Sequence, residues 1–447
     1  MNHASHKSVT KWLTVIPASW RTDRLKDVVP RILGGGTPAS SEPDFWDEGQ
    51  IVWLTPTDFG KTNGSVEISG SERRITQAGL DASSAHLLPK GTVIMASRAT
   101  IGTARIAGIE LATNQGFISF VCDESRLQSR FLYYVIEGYL GAYFAHIAPG
   151  TTFNEISRGK AKQEAIGFPD VREQRLIVAY LDRSCAAVDA ALAAKRRQLE
   201  TLDAIRKAII TRAVTVGVGS ATAMRRSGIE WIGKIPRHWR VDKLKYLTSL
   251  IVDGTHVTPT YVSEGVPFLR VTDIQDDTID LESVKYISPE EHRVLSGRAK
   301  AQRGDMLLSK NGTIGLVKVV TWDWEFSFFV SLCLIRPGAK LDPHFFSYFF
   351  ASSVVDQQLF ESSKQTSVTN LHLVKIRELR LCVPPLDEQK AIVEHLDSRC
   401  GEMRDVVDNI ESQIATLHAY RNSLIHECVT GQRRVTEEDL NKLRAHG

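Results

Sequence analysis

The sequence contains few cysteines and no long apolar segment. Its 447 residues include six cysteines without a Cys-x-x-Cys pair, which favours reduced thiols over a disulfide scaffold or a zinc ribbon. The longest apolar stretch, 326–335, is interrupted by Ser327 and Ser331, whereas a membrane helix needs about 20 apolar residues. Residues 1–11 contain no apolar signal core, so export is not expected. We therefore expect a cytoplasmic protein that has no membrane partner.

An excess of charge of one sign is also lacking. The chain has 55 Lys+Arg against 52 Asp+Glu, a formal net charge of +3. At the level of composition this balance gives no indication of a nucleic-acid partner. A hydrophobic content of 43% with 24% charged residues is typical of globular proteins. At about 150 residues per domain, the length suggests about three domains.

The chain contains an internal repeat, which is the first feature to seek in a long sequence. Residues 12–21 resemble residues 231–240, and both segments carry two tryptophans and a proline at the same spacing. Further matches follow in the same order along the chain, at offsets between 219 and 213: Thr57-Asp58 with Thr272-Asp273, Thr100-Ile101-Gly102 with Thr313-Ile314-Gly315, and Glu173-Gln174 with Glu388-Gln389. Two copies of about 215 residues therefore span nearly the whole chain.

Each copy begins with short β-type runs and then changes its periodicity. The strand patterns lie at 51–54, 92–96 and 117–122 in the first copy and at 267–271, 305–308 and 330–335 in the second, with short helical patterns at 130–143 and 343–353. This mixture predicts α+β domains. Heptad spacing follows over 171–212 and 386–430, which predicts two long helices.

The two heptad helices are predicted to pair with each other. Residues 172–213 have nine Lys/Arg and five Asp/Glu, whereas 386–430 have four and nine, and opposite charge favours pairing across the seam. Packing of each helix on a separate domain is the alternative, because heptads alone do not choose a partner. The predicted seam comprises Val178, Leu181, Val188, Leu192, Leu199, Leu202 and Ile209 of the first helix and Val393, Leu396, Met403, Val407, Ile410, Ile414, Leu417 and Leu424 of the second.

The reach of the linker sets the predicted direction of pairing. The seam from Val178 to Ile209 is about 48 Å long at 1.5 Å per residue, and the linker 217–230 spans at most about 50 Å when fully stretched. Antiparallel pairing needs no such stretch. The sequence therefore predicts two similar globular domains at opposite ends of an antiparallel coiled coil, with an approximate two-fold axis. The predicted segments are 1–169 (first domain), 170–216 (first helix), 217–230 (linker), 231–385 (second domain), 386–430 (second helix) and 431–447 (tail).

Motifs for chemistry on the chain itself are missing or misplaced. Pro384-Pro385 has neither the Asn/Asp nor the aromatic residue of an adenine methyltransferase motif, and Gly60-Lys61-Thr62 lacks the first glycine of a phosphate loop. Glu388-Gln389-Lys390 has the acidic-x-Lys pattern of nucleases but begins a heptad helix, so we interpret it as a solvated helix face. We therefore assign no catalytic residue and no metal ligand.

The repeated motifs resemble the specificity subunit of type I restriction-modification systems over about residues 12–435. The resemblance rests on Thr57-Asp58, Thr100-Ile101-Gly102 and 169–174 in the first copy, and on the second-copy segments 267–274, 304–309, 312–315 and 384–393. The first copy departs from the family at Phe168-Pro169-Asp170, where the proline-rich start of the helix is reduced. It also has Arg98-Ala99 where the second copy has Asn311-Gly312.

The resemblance implies a non-catalytic DNA-binding protein. Each globular region would be a target recognition domain that reads one half of a bipartite, asymmetric sequence in double-stranded DNA. The helices would set the spacer and dock two methyltransferase subunits, which bind S-adenosylmethionine and modify adenine. Restriction subunits would add ATP-dependent, Mg-dependent cleavage, so all cofactors would lie on partner subunits. A protein-interaction scaffold without DNA specificity is the alternative function, and a self-sufficient methyltransferase is disfavoured because its motifs are missing.

Candidate DNA contacts are polar residues of repeated loops. Phosphate contacts need Lys, Arg, Ser, Thr or backbone amides, while Arg suits guanine and Asn or Gln suits adenine. Ordinary solvent-exposed polar loops are the alternative interpretation, and the repeated Thr-Ile-Gly could simply be a turn that the fold requires. For Gly34-Gly35-Gly36-Thr37-Pro38, a flexible loop near DNA and a plain turn stay equally open. The candidates are Arg98, Thr100, Arg270, Thr272, Lys310, Asn311, Thr313, Lys364 and Gln365.

Overall fold

A computed structural model describes residues 16–62, 64–148, 154–219, 223–276, 278–297, 300–312, 314–363 and 371–445. The chain forms two compact units. Unit 1 comprises residues 1–195 and 412–447, and unit 2 comprises residues 196–411. We use "head 1" for the part of unit 1 that precedes its long helix and "head 2" for the corresponding part of unit 2.

The described residues of head 1 form ten short strands and six short α-helices, and a π-helical turn at Ile136–Leu140 joins two of those helices. The strands are β1 Arg21–Arg24, β2 Arg31–Gly34, β3 Ile51–Leu54, β4 Glu67–Ile68, β5 Arg74–Ile75, β6 Val93–Ala96, β7 Ala104–Ala107, β8 Ala112–Thr113, β9 Phe117–Val121 and β10 Ala165–Phe168. The helices are α1 Leu25–Val28, α2 Pro56–Phe59, α3 Gln77–Asp81, α4 Ser129–Val135, α5 Gly141–Ile147 and α6 Arg158–Ala161, and the long helix α7 Val171–Val216 follows.

Unit 2 repeats this plan after an initial two-stranded hairpin. Its strands are β11 Met224–Arg226, β12 Lys234–Pro236, β13 Arg240–Lys243, β14 Thr248–Asp253, β15 Tyr261–Val262, β16 Val266–Leu269, β17 Lys285–Ile287, β18 Met306–Ser309, β19 Val317–Val319, β20 Ser327–Phe328, β21 Leu332–Pro337 and β22 Arg380–Val383. Its short helices are α8 Pro289–Ser296, α9 Pro343–Phe350, α10 Ser353–Ser363 and α11 Leu373–Glu378. The second long helix, α12 Leu386–Val429, and a final helix, α13 Glu437–Ala445, complete the chain.

The sheets of the two heads have matching strand orders. Head 1 has the order β2-β9-β6-β7-β4 and head 2 the order β14-β21-β18-β19. A second sheet, β5-β3-β8 in head 1 and β15-β17-β16-β20 in head 2, contains one parallel pair in each case. A two-stranded antiparallel sheet, β1-β10 or β13-β22, lies just before each long helix. The predicted α+β repeat is confirmed at the level of strand pairing.

The sequence patterns locate the central strands because those strands are mostly apolar and mostly buried. All four residues of β6 are buried, as are all four of β18. Strands buried on both faces read as continuous apolar runs, and these are easier to find than alternating ones. The predicted strand patterns correspond to β3, β6 and β9 and to β16, β18 and β21, with ends shifted by one or two residues.

Within each unit the two long helices run antiparallel. In unit 1 the core joins Leu181 and Cys185, from the beginning of α7, to Leu424 and Cys428, from the end of α12. In unit 2 the core joins Ile210, near the end of α7, to residues near the beginning of α12. This complementary pairing of helix ends confirms the predicted direction.

All of the predicted seam residues are buried or half-buried. Because the two long helices contribute one apolar stripe each, their seam positions are expected to lose contact with water. Six of the fifteen are buried and nine are half-buried. The buried ones are Leu181, Val188, Leu192, Leu396, Ile410 and Leu424, and the half-buried ones are Val178, Leu199, Leu202, Ile209, Val393, Met403, Val407, Ile414 and Leu417.

A tryptophan in each head contacts both long helices. The indole N–H of Trp20 donates to Glu173 Oε1 at 3.2 Å, in the first turn of α7, and a Cβ placed on Gly431, just beyond α12, would lie 3.3 Å from the same ring. In unit 2 the indole N–H of Trp239 donates to Glu388 Oε2 at 2.8 Å. The repeated tryptophan therefore joins the start of one helix to the end of the other.

A buried glutamine secures the first turn of each long helix. Gln389 Nε2 donates to the carbonyls of Pro384 and Lys340 at 2.9 Å each, and its Oε1 accepts from the backbone N–H of Asp342 at 2.8 Å. Gln174 makes the equivalent three bonds at the start of α7. Both side chains belong to fully buried residues. The interpretation of Glu388-Gln389-Lys390 as a solvated helix face is wrong for Gln389, because its partners come from a loop far along the chain.

Among the described residues, none of the helices combines the length and the apolar content that crossing a bilayer requires.

We expect Gln389→Leu to destabilise the protein by on the order of 3 kcal/mol, because three backbone groups, one buried and two part-buried, lose their partner. The measurement is urea unfolding of the full chain. Lys390→Ala, at the exposed neighbouring position, is the matched control and should lie within about 0.5 kcal/mol of wild type. Equal stability of Gln389→Leu and the control would contradict the structural role of Gln389.

Candidate nucleic-acid interface

The repeated Thr-Ile-Gly motif forms a turn at the end of a central strand. In head 1, where β6 ends, the Gly102 N–H donates to the Ala96 carbonyl at 3.0 Å. Gly102 has a φ of +87°, and an added Cβ would lie 2.3 Å from the backbone of Gly141. Only glycine fits both conditions. The repeated glycine is therefore required by the fold and not by a ligand.

The same turn is held to two neighbouring loops in both heads. In head 1 the Ser97 N–H donates to the Gly116 carbonyl at 2.8 Å, and the Ile156 N–H donates to the Ser97 carbonyl at 3.1 Å. In head 2 the corresponding bonds are Lys310 N–H to the Ser331 carbonyl at 2.9 Å and Leu371 N–H to the Lys310 carbonyl at 2.8 Å. Since these bonds use only the backbone, the side chains on the turns can differ without changing the framework.

Two further loops join the turn in each head. In head 1 the Gly36 N–H donates to the Thr113 carbonyl at 2.9 Å, and the Asn114 N–H donates to the Leu54 carbonyl at 3.0 Å. In head 2 the Thr255 N–H donates to the Phe328 carbonyl, and the Phe329 N–H donates to the Leu269 carbonyl, both at 3.0 Å. We call these assemblies loop surface 1 (35–37, 55–57, 97–100, 114–116 and 154–156) and loop surface 2 (254–257, 270–272, 310–312, 329–331 and 371).

The repeated Thr-Asp motif has a structural explanation. Asp58 is 5% exposed, and its Oδ2 accepts from the Thr55 N–H at 2.7 Å, which caps helix α2. Asp273 Oδ2 accepts from the Arg270 N–H at 2.7 Å in the same way. Each aspartate thus shapes the loop that follows a strand, and it contributes no free carboxylate to the loop surface.

Arg270 stabilises the loop that contains it through a side-chain contact with Asp273. Its Nε and a terminal nitrogen donate to the two carboxylate oxygens of Asp273 at 3.0 and 2.9 Å. This bidentate bond raises the pKa of the guanidinium above its ordinary value. The side chain is only one-third exposed, whereas the neighbouring Thr272 is exposed. Arg270 therefore supports loop surface 2, and Thr272 lies on its outside.

Lys310 lies inside head 2 and not on its surface. The side chain is 6% exposed, and its Nζ lies 2.7 Å from Asp253 Oδ1, which belongs to a side chain 17% exposed. The role of Lys310 as a DNA contact stays a prediction, and DNA could reach the ammonium only if this ion pair were broken. The sequence could not reveal this, since Asp253 comes from a different strand, β14.

The remaining predicted contacts divide between exposed positions and positions outside the described residues. Arg98 and Thr100 are exposed on loop surface 1, and Asn311 is half-buried on loop surface 2. Thr313, Lys364 and Gln365 lie outside the described residues. Together with the one-third exposed Arg270, five of the nine predicted residues are therefore on the loop surfaces with some exposure: Arg98, Thr100, Arg270, Thr272 and Asn311.

Sequence reasoning missed several polar residues that the fold brings to the loop surfaces. The Thr37 hydroxyl donates to Gln115 Oε1 at 2.5 Å on loop surface 1. Glu155 Oε2 lies 3.0 Å from a terminal nitrogen of Arg98, and His256 is exposed on loop surface 2. Only Thr37 had a sequence signal, in the Gly-Gly-Gly-Thr-Pro segment. The other three follow no motif, because contacts between distant loops bring them into place.

Within the part of the chain that the structure describes, no group of three or more His, Cys, Asp or Glu side chains is arranged to hold a metal ion.

Comparisons with known proteins agree on one family. The family model for the type I restriction modification DNA specificity domain matches residues 17–201 and 259–402. The type I restriction enzyme MjaIX specificity subunit of Methanocaldococcus jannaschii is 24% identical over 426 residues, which cover 94% of this chain and 95% of that protein. The EcoBI specificity subunit of Escherichia coli is 26% identical over 325 residues, covering 70% of this chain and 66% of that protein.

A solved structure shares the fold. It comes from work on complex assembly and conformational transition of the type I R-M system, and its chain matches with a TM-score of 0.67 at 17% identity. The match covers 93% of this chain and 98% of that one.

We expect Lys310→Met to destabilise the protein by about 3 kcal/mol, because it removes the ammonium that pairs with the largely buried Asp253 carboxylate. The remaining neighbour, His256 Nε2, is exposed and lies 3.9 Å from the other carboxylate oxygen. Urea unfolding measures the change. The double variant Lys310→Met/Asp253→Leu removes both charges and should recover most of the loss. A single variant as stable as wild type would show that the ion pair does not hold loop surface 2.

Proposed function

The chain belongs to the type I restriction-modification DNA specificity family, and on that premise we propose that it acts as the non-catalytic specificity subunit of such a complex. Head 1 and head 2 each read one half of a bipartite, asymmetric target in double-stranded DNA. The observation that carries the proposal is that one backbone framework presents different side chains in the two heads. Where loop surface 1 has Arg98, loop surface 2 has Asn311.

The side chains of the two heads also differ at other positions of the loop surfaces. Backbone hydrogen bonds align Thr37 with His256 and Gln115 with Val330. Base edges are distinguished by the donors, acceptors and apolar groups that approach them. Two surfaces with the same framework and different side chains would therefore read different sequences, which is what an asymmetric target requires.

The two long helices set the spacer and dock two methyltransferase subunits in this proposal. Each long helix has one part in unit 1 and the other part in unit 2. The length of the helices is therefore suited to fixing the distance between the half-sites. Three large apolar side chains on the helices, Ile205, Val406 and Tyr420, are 46–52% exposed. Such side chains are suited to a subunit interface.

Catalysis belongs to the partner subunits in this proposal. The methyltransferase subunits would bind S-adenosylmethionine and modify adenine, and restriction subunits would use ATP and Mg. This chain would contribute binding and orientation alone, in a complex located in the cytoplasm.

The complex of the full chain with its methyltransferase subunits should bind one bipartite duplex at least about 1,000-fold more tightly than random duplex at one stated salt concentration. The target comes from mapping methylated adenines in a host that expresses the complex, and fluorescence anisotropy measures the affinities. Equal affinity for target and random DNA would refute the DNA-specificity role. Such a result, together with capture of other proteins by the heads, would favour the interaction scaffold.

Removing one heptad from each long helix should change the preferred spacer and leave both half-sites intact, because two turns shorten each helix by about 10 Å. Adenine-methylation mapping of the variant complex gives the spacer. The control replaces one exposed heptad in each helix by alanine-rich sequence of the same length, and its spacer should equal that of wild type. An unchanged spacer in the deletion variant would show that the helices do not set it.

A further inference from the structure

The tip of loop surface 1 presents an arginine that is held in place before any ligand binds. Arg98 has a side chain 47% exposed, and its terminal nitrogen lies 3.0 Å from Glu155 Oε2. The two residues also form an antiparallel β-bridge, so backbone and side chain fix the same arrangement. A guanidinium ordered in this way loses less conformational entropy when it binds.

Because Arg98 is paired with Glu155, it is less suited to bind a phosphate than to contact a base edge. The adjacent Glu155 carboxylate offsets the positive charge and would repel a phosphate. A side chain that binds phosphate gains its affinity from unpaired positive charge and from the release of counterions. The guanidinium has five N–H donors, so one carboxylate leaves several of them for a base edge. The geometry of two parallel N–H groups fits the O6 and N7 acceptors of guanine in the major groove.

The backbone next to Arg98 is strained in head 1 and relaxed in head 2. Ala99 has a φ of +56°, and Gly312 occupies the equivalent position at +72°. The left-handed region is disfavoured for a residue with a Cβ, and strain of this kind is concentrated at functional sites. The exposed Ala99 methyl group is also suited to contact a thymine methyl group beside the guanine.

We propose that Arg98 is the guanine-reading residue of head 1 and that Glu155 is its positioning residue. This inference rests on the proposed DNA-specificity function and goes further by naming the base and the side chains. Head 2 has Asn311 in place of Arg98, and its Arg270 is bound to Asp273. Loss of Arg98 therefore affects only the half-site that head 1 reads.

The test uses the full chain in complex with its methyltransferase subunits and duplexes of the mapped target. In each duplex one guanine is replaced by 7-deazaguanine, which lacks the N7 acceptor. For wild type, we expect one guanine in a single half-site at which the replacement weakens binding about 10-fold or more. For Arg98→Ala, binding to the normal target falls about 10- to 100-fold, and the replacement at that guanine has no further effect.

Salt dependence separates base reading from phosphate binding. A lost phosphate contact lowers the salt slope of binding by about one and weakens binding to all sequences alike. We expect Arg98→Ala to leave the slope unchanged. The control Lys90→Ala removes an exposed positive charge before β6, at the other end of the strand, and should change neither binding nor selectivity.

Glu155→Ala tests the positioning role. Releasing the guanidinium should reduce discrimination against 7-deazaguanine and increase affinity for random duplex, because the positive charge is no longer offset. Glu155→Asp, which keeps the carboxylate, should recover part of the discrimination. A purely structural role of Glu155 would weaken binding to all duplexes without altering the discrimination.

The outcomes distinguish this inference from the proposed function. Wild-type complex without preference for its target would overturn both. A specific wild-type complex whose Arg98→Ala variant has a smaller salt slope, or still responds to 7-deazaguanine at every guanine, would overturn the assignment of Arg98 and leave the proposed function intact. The assignment of Arg98 would also be overturned if replacement by 7-deazaguanine weakened wild-type binding at no guanine of either half-site.

Discussion

The attachment of each head to the helix pair depends on a tryptophan and the Glu-Gln pair that begins a long helix. The Trp20 indole binds Glu173, and the Trp239 indole binds Glu388, while the buried Gln174 and Gln389 tie the same helical turns to the preceding loops. Because each tryptophan also lies against the glycine that follows the other long helix, one residue sets both the direction of pairing and the position of the head. The repeated sequence around these residues is therefore a requirement of assembly within each unit.

Backbone and side chains have separate tasks in the two loop surfaces. The hydrogen bonds that join the loops run from N–H to carbonyl in both heads, and the repeated glycines and aspartates shape turns. A framework of this kind tolerates exchange of the exposed side chains. That separation explains how two heads of one chain can share a fold, and why the residues that differ, and not those that repeat, are suited to carry specificity.

Charge is distributed by region and almost cancels over the whole chain. The first heptad helix carries a net charge of +4 and the second a net charge of −5, although the total is +3. One ion pair between the helices in unit 1 has the opposite polarity: Arg421 of α12, whose side chain is only 17% exposed, lies 3.1 Å from Asp189 of α7. A charged residue between two helices favours one register when its counter-ion lies on the facing helix.

The sequence by itself determined the internal repeat, the α+β heads, the central strands and the two heptad helices with their antiparallel direction. These features rest on local periodicity and on chain length, both of which can be read along the sequence. The tertiary structure alone decided which polar residues face the solvent. Lys310 was predicted as a DNA contact and is paired inside head 2 with Asp253, and Gln389 was predicted to be solvated and is buried. In both cases the partner comes from a distant segment, so burial and pairing depend on contacts that no local pattern records.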